Sequence, residues 1–322
     1  MNRSLVLAAI ASLGFGGVAP AGLIYGIKSL APGTGPPSAP PAHLFSFDSD
    51  GAGFTDFGAI TLFAAQIDAD ALAVSDTHGL LAYRIEPGSS TLIRLETAGA
   101  NAAVIGDDLV GRQIRGAAFD GADRLWVIDS ESDELLRVDP VTGAVLSSVS
   151  LHRSAGSFDL VNYSDLAIRA DGQMFISSLG VFYTVDGSTG LCEAIGDPSS
   201  NLAGITFCAD APAERLYGFD IDGPDDIFTY GSDSGFHASL LIPNIISTFN
   251  SGRGDLASVP APPSGCNPAD LAEPFGLLDL ADVTTFVAGF LASDPIADLD
   301  GSGLLDLSDV ILFVDSFLGG CP

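Results

Sequence analysis

Through the middle of the chain, apolar and polar residues alternate in short runs separated by Gly- and Asp-rich turns, the period-two pattern of half-buried strands. The runs come in groups of four, and the groups recur at a spacing of roughly 40 to 50 residues, the period of propeller blades. Five runs are predicted as first strands: Asp70–Val74, Arg115–Phe119, Ser164–Ile168, Ala203–Phe207 and Gly254–Ser258. All carry small residues where backbones crowd a central channel. Strands two to four of a unit read most clearly as Arg124–Asp129, Leu135–Asp139 and Val145–Val149. They recur as Met174–Ile176, Val181–Asp186 and Cys192–Ile195, and again as Leu216–Asp220, Ile227–Tyr230 and His237–Ile242. Asp139-Pro140-Val141-Thr142-Gly143 and Asp186-Gly187-Ser188-Thr189-Gly190 are hairpin turn chemistry.

The two ends of this region complete each other. Leu23–Ile27, His43–Asp48 and Phe54–Ile60 supply strands without a first strand, and Asp255–Val259 is a first strand without followers. Joining them closes a ring and leaves no open edge. The expected fold is therefore all-β, a five-bladed β-propeller over 22–259, with Ala31–Pro41 as a surface loop. After a Pro-rich linker (260–265) the pattern changes period. Val283, Phe286, Val287 and Phe290 fall at i, i+3, i+4 and i+7, as do Val310, Phe313, Val314 and Phe317, so the chain ends in a small α-helical domain, 266–322.

That domain contains one segment written twice: Leu277–Leu291 returns 27 residues later as Leu304–Leu318. Before the second helix, Asp298, Asp300, Ser302, Asp306 and Asp309 stand at positions 1, 3, 5, 9 and 12 of a loop with Gly303 at position 6, where the chain must turn sharply. This is the ligand spacing of an EF-hand-type Ca2+ loop, with the Leu304 carbonyl at position 7. The first loop keeps Asp279 and Asp282 at the equivalent late positions, but its aligned early positions are Leu271, Glu273 and Phe275. Ca2+ there needs Asp270, through a loop one residue longer; a metal-free loop kept for packing symmetry is the other reading.

Paired oxygen-ligand loops without a preceding helix, flanked by Gly265-Cys266-Asn267-Pro268 and Gly320-Cys321-Pro322, resemble the bacterial dockerin domain, in particular the GC-type dockerin-like tails of secreted bacterial proteins. The resemblance implies Ca2+-dependent folding and docking to a cohesin-like partner. Members that bind cohesins commonly carry hydroxyl residues at loop positions 10 and 11, where this chain has Leu280-Ala281 and Leu307-Ser308. Another surface protein is thus an equal expectation. The blade rhythm resembles NHL-like and lactonase-like propellers, without a diagnostic motif.

Cys266 and Cys321 bracket the repeat pair, which suits a disulfide tying the ends of a small domain. Cys192 and Cys208 are then either a second bridge or two buried thiols. Asn2-Arg3, the apolar run Leu5–Val18 and Ala19-Pro20-Ala21 form a secretory signal peptide (1–21), which places the mature protein outside the cell or on its surface.

Composition narrows the functions. The 322 residues carry a net charge of −29 with only 12 Lys and Arg, which repels phosphate backbones and excludes nucleic acid as a partner. A mean hydropathy of +0.38 belongs to a folded chain rather than an acidic tail. His43, His78, His152 and His237 are scattered without zinc spacing, and there is no G-x-S-x-G elbow or phosphate loop. Asp70, Asp120, Asp165 and Asp255 lie at or near first strands, where they serve either as turn caps or as channel acids; a convergent trio would mark a hydrolase of polysaccharide or lactone. Asp48-Ser49-Asp50-Gly51 and Asp220–Asp226 read as solvated turns, Trp126 as core, and Arg112, Arg115, Arg137, Arg169 and Arg215 as partners of nearby Asp. The preferred function is a non-catalytic exported binding or display protein, with an unknown ligand at the propeller and no catalytic residues assigned.

Overall fold

The computed structural model describes residues 22–30, 42–154, 156–161, 163–196, 202–208, 215–220, 226–230, 239–243, 252–260, 267–272, 277–292, 294–299 and 304–320. The expected signal peptide, the Pro-rich stretch 31–41, the linker after Pro260, residues 221–225 and the ligand candidates Glu273, Asp300 and Ser302 lie outside these residues, as do Cys266 and Cys321.

The chain is mostly β, in a propeller-like arrangement, with two C-terminal helices. The first sheet contains β1 (Leu23–Leu30), β2 (His43–Asp48) and β3 (Thr55–Ala59). Next come β4 (Thr61–Leu62) and β5 (Ala65–Gln66), then β6 (Ala69–Ser75), β7 (Gly79–Glu86), β8 (Ser89–Glu96), β9 (Asn101–Val104) and β10 (Leu109–Val110). The third sheet is β11 (Ile114–Phe119), β12 (Leu125–Asp129), β13 (Glu134–Val138) and β14 (Val145–Ser150). The fourth is β15 (Asp165–Ile168), β16 (Met174–Ser178), β17 (Val181–Val185) and β18 (Cys192–Gly196). The fifth is β19 (Leu202–Cys208), β20 (Arg215–Asp220), β21 (Ile227–Tyr230) and β22 (Ser239–Ile242), after which β23 (Gly252–Ser258) returns to the first sheet.

That return is the expected closure. β23 runs antiparallel to β1, with Ile24 opposite Ser258, Ile27 opposite Asp255 and Leu30 opposite Gly252. The strands β6, β11, β15, β19 and β23 contact one another in cyclic order. An apolar cluster fills each seam between neighbouring sheets. Ile27, Leu44, Leu72 and Ile93 join the first to the second; Tyr83, Phe119 and Leu136 the second to the third; Ile128, Leu166 and Tyr183 the third to the fourth. Phe175, Phe182 and Phe207 continue to the fifth, and Phe47, Tyr217 and Phe219 close back to the first. Truncating one of these buried aromatics costs about 3–5 kcal/mol.

Four sheets have the expected four strands; the second has seven, because a β4–β5 hairpin adds to it through parallel pairing of β4 with β9, and β10 pairs β8. The hairpin turns at Phe63 and Ala64 with φ of 50° and 64°. No Gly, Asn or Asp marks that turn, so the sequence carries no signal for it.

In the tail, α1 (Leu280–Ala292) and α2 (Leu307–Gly319) flank a 3-10 turn at Pro295–Ala297. Phe286 and Phe313, equivalent in the two repeats, stack at 4.2 Å between ring centroids. Val283, Phe290, Val310 and Phe317 surround them. Val287 and Val314, expected on the same face, are instead exposed, since i+4 lies at the edge of a stripe centred on i+3 and i+7.

Candidate functional site

Three of the four candidate channel acids converge. Asp70, Asp165 and Asp255 sit near the starts of β6, β15 and β23, at one end of the channel, and none is more than 2% exposed. Asp120 stands apart and is the expected turn cap: its carboxylate accepts from the Ala122 and Arg124 amides and from Trp126 Nε1.

The other three are not turn caps, and here the sequence expectation is corrected. Asp165 Oδ2 accepts from the Ile205 amide at 2.5 Å, and Asp255 Oδ2 accepts from the Leu72 amide at 2.5 Å. Each carboxylate therefore ties its own strand to the first strand of the next sheet. The approach requires a small residue on the facing strand. A Cβ on Gly204 would lie 2.8 Å from Asp255 Cα, and one on Gly116 would lie 2.8 Å from Asp165 Cα. Around the ring the equivalent positions read Ala71, Gly116, Asp165, Gly204, Asp255: acid and small residue alternate until the odd number of strands places Ala71 and Gly116 side by side. Register shifts at Asp70/Ala73, Ile114/Gly116 and Leu202/Gly204 mark the same level, with Ala71 at φ 56°.

At that acid-free junction charge is brought in one residue earlier. Asp70 Oδ2 lies 3.6 Å from Arg115 Nη1 and 3.5 Å from Arg253 Nη1, and Arg253 also pairs with Asp68. Both guanidinium groups are buried. Burial pushes the Asp70 carboxyl up to about 6, with Arg253 and Arg115 pulling the other way; desolvation also lowers Arg115 from its ordinary value. Asp165 and Asp255 are both held well above the usual carboxylate range by burial, to which the nearby Asp165 charge adds at Asp255. Asp70 Oδ1, Asp255 Oδ1 and Arg253 Nε meet no N–H, hydroxyl or carbonyl partner among the described residues.

Beside this cluster lies a cleft of about 510 Å³, lined by Gly88, Gly111, Gln113, Arg115, Glu131 and Leu160 among others. Much of its polar lining is already engaged. Gln113 Nε2 donates to the Glu86 carbonyl at 3.0 Å, and its Oε1 accepts from Arg115 Nη2 at 3.0 Å. Arg112 pairs with Asp129 and Glu134, and Arg169 with Asp171, as expected of arginines in an acidic chain.

In the tail the closing acids of the two loops are buried and equivalent. Asp309 accepts from the Leu299 and Asp306 amides, and Asp282 from the Leu271, Ala272 and Asp279 amides. Leu271 thus corresponds to Leu299 and Asp270 to Asp298, the one-residue shift the first loop was expected to need. Asp306 caps α2 by accepting from the Ser308 amide at 2.7 Å, with Asp309 completing a capping box. The donor set is oxygen throughout, which suits a hard cation. Among the described residues no group of three His, Cys, Asp or Glu is gathered tightly enough to hold a metal.

The Cys192–Cys208 bridge is not formed. The two residues pack in different seams, Cys192 between the third and fourth sheets and Cys208 between the fifth and first, and burial pushes the Cys192 thiol up to about 11. Asp50 makes the expected turn contact, accepting from the Ala52 amide at 2.9 Å.

No family model matches the chain, and no curated protein matches it. Solved structures similar to it include a streptogramin B lyase (10% identity, covering 61% of each chain, TM-score 0.38). A catalytically inactive form of virginiamycin B lyase from Staphylococcus aureus, with quinupristin, is 12% identical over 61% of this chain and 62% of its own, TM-score 0.38. A protein of unknown function from Bacteroides caccae is 10% identical over 75% of this chain and 99% of its own, TM-score 0.42. The chain spans about three fifths of the lyases it matches. The class defined by the fold is a propeller-like β protein with a helical tail.

Proposed function

We propose that this is an exported, non-catalytic binding or display protein: a five-bladed propeller whose channel mouth and adjoining cleft present a ligand surface, joined to a dockerin-like tail. The tail folds around Ca2+ held by Asp298, Asp300, Ser302, the Leu304 carbonyl, Asp306 and Asp309, and docks to a cohesin-like or other surface protein. The seven-stranded sheet is the remaining blade with a hairpin added at its edge.

The observation that carries the non-catalytic reading is what the channel acids do. Two of the convergent trio, Asp165 and Asp255, are fully buried and use their oxygens on backbone amides of the next strand. A general acid or nucleophile must reach substrate. Docking is supported by a second apolar stripe facing outward on each helix, Leu280, Val287 and Leu291 on α1 and Leu307, Val314 and Leu318 on α2, all exposed. The Cys266–Cys321 bridge is supported by their neighbours, since Asn267 Nδ2 donates to the Gly320 carbonyl at 3.1 Å.

A hydrolase remains the second reading, favoured by the convergence itself and by Asp70, whose carboxyl at about 6 suits proton transfer near neutrality. The full chain is expected to show no turnover of polysaccharides or lactones. Turnover by wild type that disappears in a folded Asp70→Asn variant would establish the hydrolase instead.

A further inference from the structure

We infer that the cleft beside the channel mouth binds a primary amine on a short alkyl chain, with Glu131 as its counter-charge. This rests on the binding reading above and gives that ligand a chemical class. The cleft measures about 510 Å³, within the roughly 300–1,000 Å³ of small-molecule sites. Its donors are already spent. Gln113 Nε2 has two hydrogens and faces the Glu86, Arg112 and Ser89 carbonyls at 3.0, 3.3 and 3.4 Å. The Ser130 hydroxyl donates to the Gln113 carbonyl at 3.2 Å, so toward a ligand it can only accept. The Gly111 amide donates to the Gly88 carbonyl, and the Gln113 and Glu131 amides both donate to Asp129 Oδ1.

The cation that lines the cleft is turned inward. Arg115 is 3% exposed, donates from Nη2 to Gln113 Oε1 at 3.0 Å, and holds Nη1 3.6 Å from Asp70 Oδ2, so its charge is met by Asp70. Glu131, by contrast, is exposed, and its carboxylate makes no hydrogen bond or ion pair among the described residues. A ligand must therefore donate, and the strongest match to a carboxylate is a charged N–H. The net charge of −29 attracts cations toward this surface and opposes anions. Leu160 and Val161 form the apolar wall against which an alkyl chain packs. That wall is held in place, because the Leu160 amide donates to Asp133 Oδ1 at 2.8 Å and the Val161 amide to Ser164 Oγ at 2.9 Å.

The test is a ligand-observed NMR titration of the full chain at saturating Ca2+ and about 0.15 M salt, which screens diffuse attraction. Four probes are compared: n-butylamine, the methylamide of Nα-acetyl-lysine, 1-butanol and butyrate. The two amines should bind and the alcohol and the acid should not. The tighter amine tells whether the cleft takes a free alkylamine or a lysine side chain of a peptide. Glu131→Gln should weaken amine binding by about tenfold or more, the loss of one charge-assisted bond. Glu193→Gln removes the same charge from exposed β18 in another sheet and should bind as the wild type does. Equal affinities in wild type and Glu131→Gln, or equal losses in the two variants, would mean diffuse attraction to an acidic surface and would overturn the proposal. So would a wild type that binds neither amine. Butanol or butyrate binding as tightly as butylamine would overturn the amine while leaving a ligand cleft standing. Failure of the binding reading itself shows elsewhere, as turnover lost in Asp70→Asn.

Discussion

The β domain and the helical tail both bury aspartates against backbone amides, yet they place them in opposite electrostatic settings. Asp165 and Asp255 are fully buried on β15 and β23 and hold amides of the neighbouring first strands, while Asp282 and Asp309 lie at helix starts, gathering the amides of one loop. In the channel burial raises the carboxyls above their ordinary value; in the tail, under the function proposed above, the charge is offset by a divalent cation. One residue type at one burial thus gives two different sensitivities. The ring should respond to pH and the tail to chelators.

The sharpest way to separate the two regions is to remove the cation. Chelation should abolish much of the helical circular dichroism while Trp126 fluorescence, reporting from β12, stays native. Asp309→Ala should mimic chelation in the tail, because it removes a proposed ligand and two charge-assisted backbone hydrogen bonds together, about 3–5 kcal/mol. Asp298→Ala should weaken Ca2+ binding far more than Asp279→Ala, since only the second loop carries a full early ligand set. A chelated chain with unchanged helix content would break the comparison outright.

A steric probe tests the ring alone. In Gly204→Ala the new methyl would meet the Asp255 Cα at 2.8 Å and its carbonyl carbon at 2.9 Å. Backbone cannot yield as a side-chain tip can, so a loss of about 2–3 kcal/mol is expected, read as a lower urea midpoint by Trp126 fluorescence. Gly319→Ala in α2 is the matched control: nothing lies within 4 Å of its Cβ position, and helix propensity favours Ala by up to about 1 kcal/mol. Equal effects from both would show that the tight strand approach is not what closes the ring.

Much of this contrast was legible in the residues. Small residues on five first strands announced the channel, and the unmatched ends at Leu23 and Asp255 announced the closure found in the β1–β23 register. The duplicated tail showed its helices and its closing acids Asp282 and Asp309. What the residues did not show is which groups meet across strands. Gly116, Asp165, Gly204 and Asp255 could be aligned by unit, but turning that column into staples requires knowing that each strand abuts the next at the same level. The signal was the alternation of acid and small residue, readable only once the ring order is known. Arg253 pairing with Asp70 lies beyond it, because a contact between residues so far apart in sequence has no local pattern.

The smallest expected effect concerns exposed aspartates, whose pH response runs opposite to that of the channel pair. Asp186 accepts from the Ser188 hydroxyl and amide and the Thr189 amide, and these bonds hold its carboxyl down at about 2. Asp139 repeats the arrangement one sheet earlier with the Val141 and Thr142 amides and is likewise lowered. A depressed folded value means that the folded state binds fewer protons than the unfolded one. The contribution is present above the ordinary carboxylate value and is lost as pH falls toward 2. Because Asp186 is open to solvent, its replacement by Ala should move the melting midpoint only slightly at pH 7 and not at all near pH 2. NMR titration of the Asp186 carboxyl should give a midpoint near 2. A midpoint at the ordinary carboxylate value would mean that the turn does not hold its cap in solution, and that acid sensitivity of the β domain must come from elsewhere.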